Sequence, residues 1–221
     1  MDSSITLLVL AGVAVFLILR LRNVLGTREG FEKPPAPAEA PSSSARDRRR
    51  DFDVIEGGPD RDITDHVEDG SDSAKALAAM KMAEPGFNVS EFLQGARGAY
   101  EMILMAFENG DLSDVREFLD DEVAETLESV IAARAEQGLT VEAEFAGVRE
   151  IKLASASLDR SNNDAEIAIR FVAELTSAVR NADGEVVEGN PNEIKRQKDV
   201  WTFSRIMGSD NPNWYLVATG E

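Results

Sequence analysis

Ala165-Glu166-Ile167-Ala168-Ile169-Arg170-Phe171-Val172-Ala173-Glu174-Leu175 is the stretch on which the fold turns. Its odd positions are apolar without a miss, and its even positions include Glu166, Arg170 and Glu174. That period of two is the pattern of a strand with one face in a core. On its N-terminal side, Ser161-Asn162-Asn163-Asp164 is turn chemistry; on its C-terminal side, Asp183-Gly184 is a hairpin signal. Before the first turn, Val141, Ala143 and Phe145 alternate with Thr140, Glu142 and Glu144. Val148, Ile151, Leu153 and Ala154 carry that strand on past Gly147, which marks a bulge or bend. After the second turn come a strand containing Val200-Trp201-Thr202-Phe203, the turn Ser209-Asp210-Asn211-Pro212, and a last strand over 214–219.

Upstream of Gly138 the period is helical. Residues 74–84 read as a short helix with Ser71 or Ser73 as N-cap and Pro85-Gly86 as the stop. Leu77, Ala78 and Met80, beside Lys75 and Lys81, suit either packing on the domain or an amphipathic contact with a membrane. Asn88 caps the next helix, with Glu91 at N3 and Phe87 stapling onto Phe92. Phe92, Ala96, Ala99, Tyr100, Ile103 and Phe107 then recur at helical spacing until Asn109-Gly110-Asp111. Val115, Phe118 and Leu119 form a third segment. A fourth starts near Glu122, with Val123, Leu127, Val130 and Ile131 on one face. Helices first and antiparallel strands afterwards predict an α+β domain, helices packed on one face of a curved sheet. Such a layering leaves a concavity, for which Tyr100, Phe107, Phe171, Trp201 and Phe203 are the candidate lining; plain core is the competing role for these aromatics.

The N-terminus has a different character. Residues 5–19 are uncharged and apolar: Ile5, Leu7, Leu8, Val9, Leu10, Val13, Val15, Phe16, Leu17, Ile18 and Leu19, with Thr6, alanines and a glycine between. Asp2 precedes the run, and Arg20, Arg22 and Arg28 follow it. A secretion signal has the reverse charge order and a small-residue cleavage site, so the run reads as a membrane anchor. The arginine side faces the cytoplasm by the positive-inside rule. Fifteen helical residues cover roughly 22 Å, less than the roughly 30 Å of a hydrocarbon core. Ser3, Ser4 and Leu21 extend the helix, and Arg20 and Arg22 reach the interface by snorkelling. Lying in the interface is the alternative, but the run has no charged face.

Residues 1–28 are thus expected to anchor, residues 29–73 to be a disordered tether, and residues 74–221 to fold. The tether holds Pro34, Pro35, Pro37 and Pro41, a serine run, and a basic cluster of Arg46, Arg48, Arg49 and Arg50 suited to anionic lipid head groups. Asp60, Asp62, Asp65, Glu68, Asp69 and Asp72 make its remainder acidic.

Composition narrows the chemistry. The formal net charge is −18, and residues 74–221 hold 14 basic and 27 acidic residues. So acidic a domain repels phosphate backbones and is not expected to take nucleic acid as a partner. With no cysteine, thiolate nucleophiles, disulfides and cysteine-held metals are excluded. His66 is the one histidine and falls in the expected tether, as a solvated residue. Residues 74–221 therefore lack the commonest general base and metal ligand, and no catalytic residue, cofactor or metal is expected.

The run Phe92-Leu93-Gln94-Gly95-Ala96-Arg97-Gly98-Ala99-Tyr100-Glu101-Met102-Ile103, with Ala106-Phe107-Glu108-Asn109-Gly110-Asp111, resembles the Tim44-like domain family. So do Glu185-Val186-Val187-Glu188-Gly189-Asn190-Pro191, Asp199-Val200-Trp201-Thr202-Phe203 and the ending Asp210-Asn211-Pro212-Asn213-Trp214-Tyr215-Leu216-Val217-Ala218-Thr219. The anchor and Leu25-Gly26-Thr27-Arg28 are similar to bacterial members. The resemblance implies a cone-like α+β fold similar to nuclear transport factor 2, and an inner-membrane scaffold rather than an enzyme. Its implied partners are the membrane and proteins, an Hsp70-type chaperone or inner-membrane complexes among them. The long motor-binding segment of the mitochondrial relative has no counterpart in residues 29–73, so only recruitment and adaptor activity carry over. A lipid- or hydrophobe-binding module is the alternative. An isomerase or dehydratase of the nuclear transport factor 2 type, with Tyr100 and Asp199 as the pair, is a remote one. Ribosome attachment, known from another branch of the family, is opposed by the acidic domain.

Overall fold

The computed structural model describes residues 60–220. The expected anchor with its arginine flank, and the tether as far as residue 59, lie outside the described residues. Among the described residues no helix is long and apolar enough to cross a membrane.

The described chain runs α1 (Arg61–Thr64), α2 (Asp72–Ala83), α3 (Val89–Asn109), a 3-10 turn (Arg116–Phe118), α4 (Asp121–Glu136), and strands β1 (Thr140–Asp159), β2 (Asp164–Arg180), β3 (Val186–Ile206) and β4 (Tyr215–Gly220). The strands form one antiparallel sheet in the order β1-β2-β3-β4, and the helices pack on one face, as the α+β expectation has it. Ala165, Ile167, Ile169, Phe171 and Ala173 of β2 are fully buried. The alternation of residues 165–175 thus sits at the centre of the core.

Each helix end follows from local chemistry. The Ser71 side chain accepts from the Ala74 N–H and caps α2, while the Ser73 hydroxyl accepts from the Ala156 N–H and ties that helix to β1. The Asn88 side chain accepts from the Glu91 N–H, and the Phe87 and Phe92 rings lie 6.3 Å apart. Gly110, at φ 77°, closes α3 in the left-handed conformation that glycine adopts without strain. Leu77 and Met80 are fully buried. Leu77 and Met80 are therefore committed to the core and are not available to the membrane contact considered for 74–84, while Met82 stands exposed.

Packing reaches further upstream than residue 74. Ile63 is buried, and the Asp62 carboxylate accepts from the N–H groups of Val89 and Ser90 and from the Ser90 hydroxyl, a second cap on α3. The Lys81 ammonium lies 2.7 Å from both Asp60 and Asp62, and His66 Nε2 is 3.1 Å from Ser90 Oγ. The part of the expected tether from residue 60 on therefore lies against the domain, His66 included. A run of carboxylates reads as solvated by composition, but here Asp60 and Asp62 pair with Lys81, and Asp62 also accepts from two helix N–H groups. Burial opposes ionisation of Asp62, yet Lys81 and the Val89 and Ser90 donors outweigh it and hold the carboxyl well below the usual range.

The sheet bends where its register slips. Gly147, at φ 142°, stands at a shift in the β1–β2 pairing, as a bulge predicts. On β3, Asn190 pairs with Ser177 and Lys195 with Leu175, so Pro191, Asn192, Glu193 and Ile194 stand outside the ladder. A proline, with no N–H to donate, suits such a place.

Candidate functional site

The inner face of α3 carries Phe92, Ala96, Tyr100 and Ile103, all buried against the sheet. Tyr100 stacks on Phe171, ring centroids 4.3 Å apart, and meets Trp201 at 4.6 Å. Its hydroxyl donates to Asp199 Oδ2 at 2.5 Å, and Gln197 Nε2 donates to the same oxygen at 3.0 Å. Asp199 opposes Phe171 in the ladder, which turns its side chain toward the helix layer. Burial, then the neighbouring Asp199, push the Tyr100 phenol far above its ordinary pKa, so it stays protonated and keeps donating. This pair satisfies a buried hydroxyl and fastens α3 to β3.

The flank of α3 is different. Gly95, Gly98, Ala99 and Met102 form the floor of a groove walled by Phe92, Phe118, Phe203 and Trp214, with a cavity volume of about 420 Å³. A second hollow of about 540 Å³ shares Gly98 and Met102 and continues past Met105 and Ala106 to Asn109, Asp111 and Asp114. Together they follow one side of the helix from Phe92 to Asn109, roughly 25 Å. Trp214 is held in place by Phe92, 4.7 Å between ring centroids, and by Phe87 at 5.9 Å. A glycine inside a helix costs about 0.5–1 kcal/mol relative to alanine. A Cβ added at Gly95 or Gly98 would meet nothing within 4 Å. The domain's own packing therefore does not call for either glycine.

Of the five residues expected to line a concavity, Tyr100, Phe171 and Trp201 pack on one another, and Phe203 is buried but also walls the groove. Phe107 is half-buried beneath the Arg134 guanidinium, 4.3 Å from its ring centroid. Tyr100 and Asp199, named as a remote pair, do meet. The groove floor and its wall at Phe118 and Trp214 were not legible as a site. The available signal was two glycines three residues apart in an otherwise strongly periodic helix. No group of three metal-binding side chains occurs among the described residues.

Fold and groove together define an α+β domain whose notable surface is an open apolar trough rather than a set of reactive groups. Residues 73–221 match the Tim44-like domain, and the chain belongs to that family. The human mitochondrial import inner membrane translocase subunit TIM44 is 26% identical over 167 residues, covering 71% of this chain and 36% of that protein. Subunit TIM44-1 of Arabidopsis thaliana is 23% identical over 153 residues, covering 66% and 32%. The chain thus spans about a third of the length of these relatives. Among solved structures, the intermembrane space region of the chloroplast protein ARC6 has a TM-score of 0.38 at 11% identity, covering 58% of this chain and 94% of that one, a likeness too loose to carry an argument.

Proposed function

We propose that this chain is a membrane-anchored adaptor that holds partner proteins beside the membrane, in a protein-assembly or translocation role. The observation that carries the reading is the groove along α3, floored by Gly95, Gly98 and Met102 and covered by none of the described residues. Exposed contiguous apolar surface of this kind is characteristic of interaction sites. Names of relatives that are translocase subunits support the same direction. Residues 1–28 supply the anchor in this proposal, spanning a bacterial inner membrane once, with residues 29–59 as tether and the domain on the cytoplasmic side. Arg46 and Arg48 to Arg50 touch anionic head groups. An Hsp70-type chaperone or an inner-membrane complex is the partner class proposed, and no enzymatic turnover is assigned.

Crosslinking in intact cells, followed by affinity capture and mass spectrometry, tests this. The full-length chain is expected to capture a defined set of proteins that a chain lacking residues 1–28 loses. Equal capture by both would remove the need for an anchor, and capture of no protein by either would sink the adaptor reading. A second reading has its own support: a volume of about 420 Å³ with aromatic walls lies within the range of small-ligand pockets. Native mass spectrometry of the purified chain would then find a lipid or other apolar molecule retained in stoichiometric amount.

A further inference from the structure

This inference rests on the adaptor reading for the kind of occupant, a protein, and concerns a surface other than the groove. The helices pack on one face of the sheet, and the opposite face carries the first observation. In β2 the residues alternating with the buried Ile169, Phe171, Ala173 and Leu175 point outward: Arg170, Val172 and Glu174. Register sets their neighbours. Arg170 stands between Lys152 of β1 and Val200 of β3, and Val172 between Glu150 and Lys198. Glu174 opposes Arg196, and the Arg149 guanidinium lies 2.6 Å from its carboxylate. These three rows gather five cations and two carboxylates, on a chain of net charge −18. Lys152 directly opposes Arg170, and like charges facing each other across strands weaken a sheet. Arg170 and Lys198 are exposed and have no ion-pair partner among the described residues. The fold alone does not call for cations so placed; an anionic ligand does.

The adjoining edge supplies the second observation. β4 pairs with β3 only from Val200 to Ser204, so residues 195–199 have β2 on one side and, among the described residues, no strand on the other. Such an edge offers every second N–H and C=O to an incoming strand. Lysines on an edge also serve as a guard against that pairing. A guard accounts for Lys195 and Lys198 but not for Arg170, on a strand paired along both sides. An anionic bilayer is flat and would meet the acidic surface around the patch as well, and a free phosphate makes no use of the edge. An extended acidic peptide suits both features.

We propose that an extended acidic segment of a partner protein adds to β3 along residues 195–199. Its carboxylates lie on the outer face beside Arg196 and Lys198. Arg170 stands two strand spacings away, roughly 10 Å, and its field still reaches them.

The test uses the full-length chain in phosphatidylcholine nanodiscs and a fluorescein-labelled synthetic peptide of about eight residues, glutamate alternating with threonine. Anisotropy is expected to show binding at least about tenfold tighter than for a lysine-for-glutamate version, weakening as salt rises. Two further versions are N-methylated on alternate amides, in opposite phase. The phase that blocks the amides facing β3 should lose binding about tenfold, and the other should keep it. The double variant Arg170→Gln with Lys198→Gln is expected to weaken binding about tenfold, circular dichroism confirming an intact fold. Lys75→Gln with Arg160→Gln makes the same change of charge away from the patch and should bind as wild type does. Equal binding of both methylated phases, or equal loss in both double variants, overturns the proposal, since charge alone would then explain the attraction. Phosphatidylglycerol vesicles bound in preference to the peptide, and lost in the patch variant, would overturn it in favour of lipid. In-cell partners captured equally by wild type and the patch variant would remove the patch and leave the adaptor standing. Peptide binding as expected, with no protein captured in cells, would keep the patch and sink the adaptor.

Discussion

At the scale of single residues, two positions concentrate cost and constraint. Tyr100 buries its ring completely and relies on Asp199 for its hydroxyl. Tyr100→Phe removes one of the donors to the Asp199 carboxylate, leaving Gln197, and is expected to lower stability by about 1–2 kcal/mol in urea denaturation. The pH dependence has a definite sign. The folded phenol titrates above its unfolded value near 10, so in that interval the unfolded state binds fewer protons. Stability from this group is full below about pH 10 and is lost as pH rises beyond it. Melts at pH 9 and 11 should show a larger loss for wild type than for Tyr100→Phe. Gly189 is the second position: at φ 76°, an added Cβ would lie 2.2 Å from the Ser177 carbonyl oxygen. Gly189→Ala is expected to cost about 2 kcal/mol or more, read as a lowered denaturation midpoint. The sequence signalled Tyr100 through its helical spacing. It could not signal the hydrogen bond, because Asp199 lies 99 residues away and only the sheet register brings it round.

At the scale of elements, α3 organises the molecule. Its start is capped twice, by Asn88 from its own chain neighbourhood and by Asp62 from a segment 27 residues earlier. Asp62→Ala removes the distant cap and leaves Lys81 with one carboxylate. We expect a loss of about 1–2 kcal/mol, and faster amide exchange at Val89 and Ser90. The Asp62 contribution is present above the unfolded carboxylate pKa and is lost as pH falls toward its depressed folded value, so wild type and variant should converge in acid. Gly98→Ala should move the other way, stabilising by about 0.5–1 kcal/mol, because α3 gains helix propensity and the new methyl meets nothing.

For the whole molecule, the balance of charge dominates. A formal net charge of −18 works against compaction by self-repulsion, which salt screens. Raising sodium chloride from about 10 mM to 500 mM should lift the melting temperature by roughly 2–4 °C, despite weakening exposed pairs such as Lys75–Asp72. The helix layer, the meander of strands and the Gly147 bulge were all legible from period and turn residues, since those signals are local. The packing of residues 60–71 was not. Their composition is that of solvated chain, and Lys81, Val89 and Ser90, which hold Asp62, belong to other elements.

By itself, then, the sequence determined the order and type of the main elements from residue 74 on, the buried face of the central strand, the acidic composition and the Tim44-like family. Alternation, capping and composition act over a few residues and survive in one dimension. Only the tertiary structure decided that Tyr100, Phe171 and Trp201 fill the interior. It also decided that Asp62 closes onto α3, and that Gly95, Gly98 and Met102 meet Phe118 and Trp214 as an open trough. Those outcomes depend on where the bent sheet carries residues distant in the chain, and that curvature is set by the packing of all its strands at once.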